Sequence, residues 1–580
     1  MCGILGQISN ENINEKIFYN ELFKLNHRGP DDNGIFIDKN VALGHARLSI
    51  IDLSDLAHQP MISNCGRYII IYNGEIYNYK DIKKDLEKKG YFFRSHSDTE
   101  VILNGFIEYK EGIADRLNGM FAIAIYDKQL KELFLSRDRS GIKPLYYFKN
   151  YQDFVFSSEL KCLVGYSKIY NIEAKILFLL LGYVPEPITI YDKIFSFPAG
   201  HYAFFKDGQL KFYKFDEYKF EPKIKKPYRE IISDIRILFN QSVQRHLISD
   251  APLGIFLSGG VDSSLLTAVA SQYKQNLHTL SIIFKEGGLN EEYFQDLIVK
   301  KYNTKHKKYL IEEKSFLEEI DNFFQTMEQP TIDGLNTYFI SKAARECGLK
   351  AVFSGIGSDE IFYGYPSFKD ARILKSIHNF KFIFANLSKF ANKYKKLELL
   401  KADEDLTYYL PKRGLFTPYE ISKILKINIK EIYESISKLW LWYNTTFIKD
   451  LEDKISFFEL NMYMKNQLLR DADLFGMANS LEIRVPFLDK ELVDFILRVE
   501  PKYKIGKTNK QLLIDIFKDL LPDEIFKRPK MGFTLPFDNW FKNNIDKFNI
   551  DDDIKSKFKN KKLHWSRFLA ILILRRFDEK

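Results

Sequence analysis

The sequence predicts two domains of different class: an α+β domain of antiparallel sheets with flanking helices over about the first 200 residues, then an α/β domain built on a parallel sheet. Three observations carry this reading. Short β-rich runs separated by polar turns fill the first part. From about residue 228 the apolar spacing changes to every third or fourth position. Beyond that point, short apolar runs alternate with helical stretches, and two of these runs pass straight into glycine-containing loops.

In chain order, RYIIIYNGEIYNY (67–79) reads as a β-rich run broken at Asn73-Gly74, the dipeptide of a tight hairpin turn. FAIAIYDKQLKELFLSRD (121–138) reads as two strands around a polar turn, and LYYF (145–148) and DFVFSS (153–158) continue the pattern. Helices are expected at 79–90 and 98–110. Apolar residues at 231, 235, 238, 239, 243 and 247 mark an amphipathic helix. LGIFL (253–257), HTLSIIF (278–284), KKYLI (307–311) and AVF (351–353) are buried-type strands, with helices after Val261 and over 291–302. Residues 368–470 read as mostly helical. The expected boundaries are 1–205 for the first domain, 206–230 for a linker containing KDG and KIKKP, and 231–580 for the second domain.

Composition narrows the class of function. The chain has 580 residues, 45% hydrophobic and 28% charged, which is ordinary globular usage. The net charge of +9 is mild and dispersed, suits small anionic substrates and marks no nucleic-acid-binding surface. Four scattered cysteines, with no CxxC pair, argue against a disulfide framework or a zinc site and for a reduced, cytoplasmic setting. The start MCGILGQISN lacks a basic leader, and the longest apolar stretch, near 176–184, is about half a membrane span.

Two motifs carry chemistry. Cys2 follows the initiator methionine; removal of Met1 would leave a thiol beside a free α-amine of pKa near ~8, a built-in base for the nucleophile. LSGGVDSS (257–264) lies between a buried strand and a helix. Ser258, Gly259 and Gly260 can turn backbone N–H groups toward a pyrophosphate, with Ser263 in the same loop, and Asp262 can help hold Mg2+ on those phosphates. GxxxxGK[ST] is absent, so this is not a Walker A loop.

MCGI, HRGPDD (27–32), HARLSIID (45–52), NGEIYN (73–78) and SDTE (97–100) follow one another in order, and over residues 1–200 they resemble the glutamine amidohydrolase domain of class II amidotransferases. LSGGVDSS resembles the pyrophosphate loop of enzymes that split ATP into AMP and pyrophosphate. SGIGSDE (354–360), GYVPEPITIYDKIFSFPAGHY (182–202), RDADLFGMANSLEIRVPFLD (470–489) and RPKMGFTLPFDNW (528–540) resemble segments of glutamine-hydrolysing asparagine synthetases, so the likeness spans nearly the whole chain.

The resemblance implies a four-layer αββα terminal-nucleophile hydrolase fold for the first domain and a parallel-sheet synthetase domain with extra helices after it. Cys2 would attack glutamine. Arg47 would grip its carboxylate through paired hydrogen bonds within the Arg47, Leu48, Ser49, Ile50, Ile51 segment. Asp98, helped by Glu75, would take the ammonium, and Asn73 with the Gly74 N–H would stabilise the oxyanion. Ser354 and Gly355 would contact ATP, Leu257 and Ile282 would line the adenine pocket, and Asp359 would join Asp262 on Mg2+. Lys510, or its neighbour Lys507, would neutralise charge during adenylation of the acceptor.

The implied reaction converts L-aspartate, L-glutamine and ATP through an aspartyl-adenylate into L-asparagine, L-glutamate, AMP and pyrophosphate, with ammonia crossing a sheltered interdomain passage. The family also suggests a homodimer. One departure is Ile356, where well-characterised asparagine synthetases carry glutamate; its role would pass to water or to Glu360, and the acceptor could instead be a sugar acid or another carboxylate.

Overall fold

Alternation along one strand places the first catalytic candidates. In the computed structural model, which describes residues 2–285, 291–376, 378–380, 392–402, 404–527 and 536–579, Tyr68–Ile76 is a single strand. Ile69 and Ile71 point into a core between two sheets, while Tyr68, Ile70 and Tyr72 point out toward helices. The expected break at Asn73-Gly74 does not occur. Both residues pair in register with Ala122 and Phe121 of the neighbouring strand, so the strand runs on through them, while Phe121 gives its own N–H and carbonyl to Asp138 and leaves the Gly74 N–H to face away from that strand.

The first domain holds β1 (Gly3–Ser9), β2 (Asp32–Asp38), β3 (Val41–Arg47), β4 (Met61–Ile62), β5 (Tyr68–Ile76), β6 (Gly119–Asp127), β7 (Glu132–Arg137), β8 (Tyr146–Lys149), β9 (Asp153–Ser157), β10 (Ile194–Ser196), β11 (His201–Lys206) and β12 (Gln209–Lys214). They form two antiparallel six-stranded sheets, ordered β10-β8-β9-β1-β3-β2 and β12-β11-β7-β6-β5-β4. Ile4, Val41, Leu43 and Phe156 of the first sheet pack on Ile69, Ile71, Ala124 and Leu135 of the second. The helix Glu15–Phe23 covers the outer face of the first sheet through Phe18 and Leu22. Helices Tyr79–Lys88 and Asp98–Tyr109 cover the second through Ile82, Leu86, Val101, Ile102 and Phe106. This is the four-layer αββα arrangement. β12 lies inside the segment expected to be linker: residues 209–214 complete the ladder of β11, so the sheet takes in chain that its polar, lysine-rich composition had marked as a connection.

The second domain carries β13 (Leu253–Phe256), β14 (His278–Phe284), β15 (Lys305–Ile311), β16 (Ala351–Phe353) and β17 (Glu482–Arg484) in the parallel order β15-β14-β13-β16-β17. β17, three residues inside SLEIRVPF, is too short to show a period in sequence. Apolar residues fill both faces: Leu253 and Ile255 pack with Leu265, Leu266 and Val269 of the helix Val261–Tyr273, and Leu280, Ile282 and Val352 pack on the helix Leu335–Glu346. The chain runs from β13 outward to β15 and then returns to β16 on the other side of β13. That reversal opens a crevice at the carboxyl ends of β13 and β16, where the two glycine loops emerge.

The domains meet across a buried surface. Arg28, fully buried, donates from Nε to the Cys2 carbonyl (3.1 Å), from Nη1 to Glu159 (2.8 Å) and from Nη2 to Asp473 of the second domain (2.7 Å). Leu48 and Ile50 pack on Ala251 and Met477, and Tyr77 lies 3.8 Å from the His246 ring. Replacing Arg28 by Met removes the cation that Glu159 and Asp473 share across the buried interface, leaving Glu159 to His27 and Lys161 and Asp473 to Lys143 at 3.6 Å. Arg28→Met is expected to destabilise the chain by about 3–5 kcal/mol, read as a lowered denaturation midpoint.

Candidate active site

Cys2 stands just before β1 and shares the inward parity of Ile4, while Asn73 shares that of Ile69 and Ile71, so both point into the open end of the two-sheet sandwich. The Cys2 backbone N–H donates to Asn73 Oδ1 (3.2 Å), and Cys2 Sγ lies 4.0 Å from the Leu48 carbonyl oxygen. Burial pushes the thiol up, so it rests protonated and needs a base. Asn73 is 0% exposed, and its Nδ2 has no hydrogen-bond partner among the described residues. A buried donor left unpaired suits an anion that forms only during reaction. A Cβ at Gly74 would stand 2.0 Å from the Met120 carbonyl oxygen, so only glycine fits there.

Around this pair, Arg47 is buried and donates to the carbonyls of Ser54 (3.0 Å) and Asp52 (2.5 Å). Those bonds hold the guanidinium in place, and no carboxylate within ion-pair distance neutralises it among the described residues. Asp98 opens the helix Asp98–Tyr109, capped by the Ser97 side chain. Its Oδ2 accepts from the Tyr72 hydroxyl (2.9 Å) and the Ile76 N–H (3.0 Å), and burial raises its carboxyl to about 6. Glu75 is drawn elsewhere. Arg484 of the second domain lies 3.4 Å from it, and burial with the nearby Glu482 keeps its carboxyl well above the usual range. Ser49 N–H donates to Asp31 (2.8 Å), and the Ile50 carbonyl accepts from Asp250 (2.9 Å), so the 47–51 segment is pinned on both sides; Ile51 packs against the outer core of the second sheet.

The second site is a cavity of about 590 Å³ at the sheet crevice. Leu257, Ser258, Gly260, Asp262, Ser263, Ile282, Ser354, Gly355, Ile356, Asp359 and Glu360 all line it. Gly259 adopts φ +74°, with Phe294 and Gln295 packed too close for a side chain. Ser263 Oγ accepts from the Ser258 N–H (3.2 Å), which closes the loop against the start of its helix. Lys510 Nζ donates to both oxygens of Asp262 (2.7 and 2.6 Å) and lies 2.9 Å from Asp359, while Ser358 Oγ donates to Asp262 (2.7 Å). Lys510 is 7% exposed, and its two carboxylate partners hold its ammonium charged against burial. Lys507 is exposed. Two hard carboxylates that already balance one cation form a donor set that fits Mg2+ bound with substrate phosphates.

The glutamine amidotransferase domain model matches residues 1–218, and the asparagine synthase model matches residues 234–566. The chain belongs to the glutamine-hydrolysing asparagine synthetase family. Asparagine synthetase 1 of Bacillus subtilis (strain 168) is 31% identical over 571 residues, covering 94% of this chain and 89% of the relative. Asparagine synthetase 3 of the same organism is 30% identical over 570 residues (92% and 87%). Asparagine synthetase B of Escherichia coli (strain K12) is 26% identical over 558 residues (92% and 82%).

Within this family member the fold gathers most of the residues singled out from sequence, in two clusters: Cys2, Arg47, Leu48, Asn73, Gly74 and Asp98, and the loops 257–263 and 354–360 with Lys510. Glu75 is turned to the domain interface. Most of the 528–540 motif, residues 528–535, lies outside the described residues. Glu360 is buried, accepts from the Tyr365 hydroxyl (2.8 Å), and is raised to about 7 by burial and by Asp359 beside it.

Sequence reasoning missed Tyr72 and Ser358. It also missed Arg28, Asp471 and Asp473, which lie inside quoted motifs, and Tyr183 and Arg413, which line the cavity. Nothing local in the sequence around Arg413 signals a site.

Two outcomes follow from this geometry. Above about pH 6 Asp98 is ionised and can pair with an ammonium, so kcat/KM for glutamine hydrolysis is expected to fall as pH drops through about 6, and Asp98→Asn is expected to raise the glutamine KM about 10-fold or more. The same group acts oppositely on stability. Its folded-state value lies above the unfolded one, so its stabilising effect is lost as pH rises from about 4 to about 6. Lys510→Met leaves Asp262 and Asp359 facing each other; acceptor-dependent pyrophosphate release is expected to fall about 100-fold or more in a steady-state assay.

Proposed function

We propose that this chain makes L-asparagine from L-aspartate, L-glutamine and ATP, releasing L-glutamate, AMP and pyrophosphate through an aspartyl-adenylate. The observation that carries the reading is the buried guanidinium of Arg28, which joins the Cys2 carbonyl to Asp473. Asp473 belongs to the segment whose neighbours Asp471 and Ala472 line the nucleotide cavity. A glutaminase nucleophile and an ATP-site wall thus share one rigid link.

In the first site, glutamine lays its carboxylate on Arg47 and its ammonium on Asp98. With Met1 removed, the α-amine of Cys2 takes the thiol proton and the sulfur attacks the amide carbon. Asn73 Nδ2 and the Gly74 N–H receive the charge that develops on oxygen. Ammonia leaves, and water then hydrolyses the thioester to glutamate.

In the second site, the loops after β13 and β16 hold the ATP phosphates with backbone N–H groups. An aspartate carboxylate oxygen attacks the α-phosphorus, pyrophosphate departs, and Lys510 offsets its charge. Mg2+ held by Asp262 and Asp359 would supply further charge neutralisation on the phosphates. Ammonia then displaces AMP from the acyl carbon. Released into bulk water, ammonia would be protonated and would lose its nucleophilicity, so a dry route between the sites preserves it. The burial of Arg28 and Asp473, which link Cys2 to the wall of the second cavity, supports such a route.

The test is pyrophosphate release over a panel of acceptors with either glutamine or ammonium as nitrogen source. Aspartate is expected to stimulate release and sugar acids are not. Cys2→Ala is expected to lose more than about 100-fold of glutamine-supported synthesis while ammonium-supported synthesis persists. Stimulation by another carboxylate but not by aspartate would overturn the assignment.

A further inference from the structure

Outside the glycine loops, the cavity carries two unlike charged walls. On one, Arg413 spends Nε and Nη2 on Glu459 (3.0 and 2.7 Å), and its guanidinium carbon lies over the rings of Tyr463 and Tyr365, 4.0 and 4.4 Å from their centroids. Its Nη1 makes no hydrogen bond among the described residues. Tyr183, 2% exposed, also lines the cavity, and its hydroxyl has no hydrogen-bond partner among the described residues. A rigid guanidinium edge and an unpaired buried hydroxyl in one cavity are donors waiting for an anion.

The other wall is acidic and is built onto the first. The Tyr183 backbone bridges Thr331, and the Ile332 N–H donates to the Gly182 carbonyl (3.0 Å). Thr331 donates its hydroxyl to Asp471 (2.5 Å), and Asp333 follows two residues later. Asp471 has Arg470 at 3.4 Å, whereas Asp333 receives only the Gly334 N–H (2.9 Å) and forms no ion pair among the described residues. Both carboxylates line the cavity.

We propose that these two walls form the acceptor subsite and select a zwitterionic α-amino acid, with the α-carboxylate on Arg413 Nη1 and the Tyr183 hydroxyl and the α-ammonium on Asp333 and Asp471. The assignment rests on the reading of the chain as a synthetase that amidates aspartate. It gives a physical reason for preferring an amino acid to a sugar acid: only the former brings a cation to the acidic wall. It also relieves the loop residue Ile356 of any part in recognising charge.

The experiment compares aspartate with succinate, which lacks only the α-ammonium, in ammonium-supported pyrophosphate release by the full chain at saturating ATP. The wild-type chain is expected to prefer aspartate by about 100-fold or more in kcat/KM. Asp333→Asn is expected to shrink that ratio by about 10-fold or more, because the substitution removes the charge the ammonium answers. Tyr183→Phe, which keeps the ring, is expected to raise the aspartate KM about 10-fold without changing the KM for ATP. An unchanged ratio in Asp333→Asn, or an unchanged aspartate KM in Tyr183→Phe, overturns the subsite while leaving the synthetase reading intact. No aspartate-dependent release by the wild-type chain overturns both.

Discussion

One guanidinium, that of Arg28, sets the geometry on which both sites depend. It has no exposure to water, so its charge must be met by protein groups. The groups that meet it are the carbonyl of Cys2, a carboxylate of the first domain and a carboxylate of the second. A buried cation tolerates little movement in such partners, because lengthening any bond leaves charge unsolvated. The position of Cys2 and the docking of the two domains are therefore set by the same requirement.

The second site follows a different logic. Lys510 sits among Asp262, Asp359 and Ser358, three groups delivered by the first turns of two helices, Val261–Tyr273 and Ser358–Ile361, that follow the two glycine loops. The topological reversal at β13 and β16 brings those loops together. The lysine holds the two acids apart from mutual repulsion, and they in turn keep it charged despite burial. The crevice is thus electrostatically balanced around a small cation before any phosphate arrives.

Much of this was legible in residue order. Cys2 and the loop 257–264 announce themselves through residue type and local context, while Arg47, Asn73 and Asp98 stand out only through the resemblance of their motifs to a known family. Where local signals misled, tertiary pairing overrode them. Asn73-Gly74 has turn chemistry, yet both residues stay in register with β6 and the strand runs straight. Residues 209–214 look like linker, yet β11 recruits them as an edge strand. Glu75 sits beside Asn73 and Gly74 in sequence, yet Arg484, 3.4 Å away, draws it toward the other domain. Tyr183, Arg413 and Asp333 come from segments more than 200 residues apart at the extremes, and no local pattern links them.

By itself the sequence determined the two fold classes, most of the strand runs and the strand–glycine loop–helix form of 257–264. These depend on the period of a strand and on the conformational freedom of glycine, which act over a few residues. Only the tertiary structure decided which lysine reaches the acids, where Glu75 points and which side chains wall the cavity between the glycine loops and Arg413. Burial, long-range charge pairing and the order of strands in a sheet are properties of the packed chain, and they choose among residues that look equivalent along the sequence.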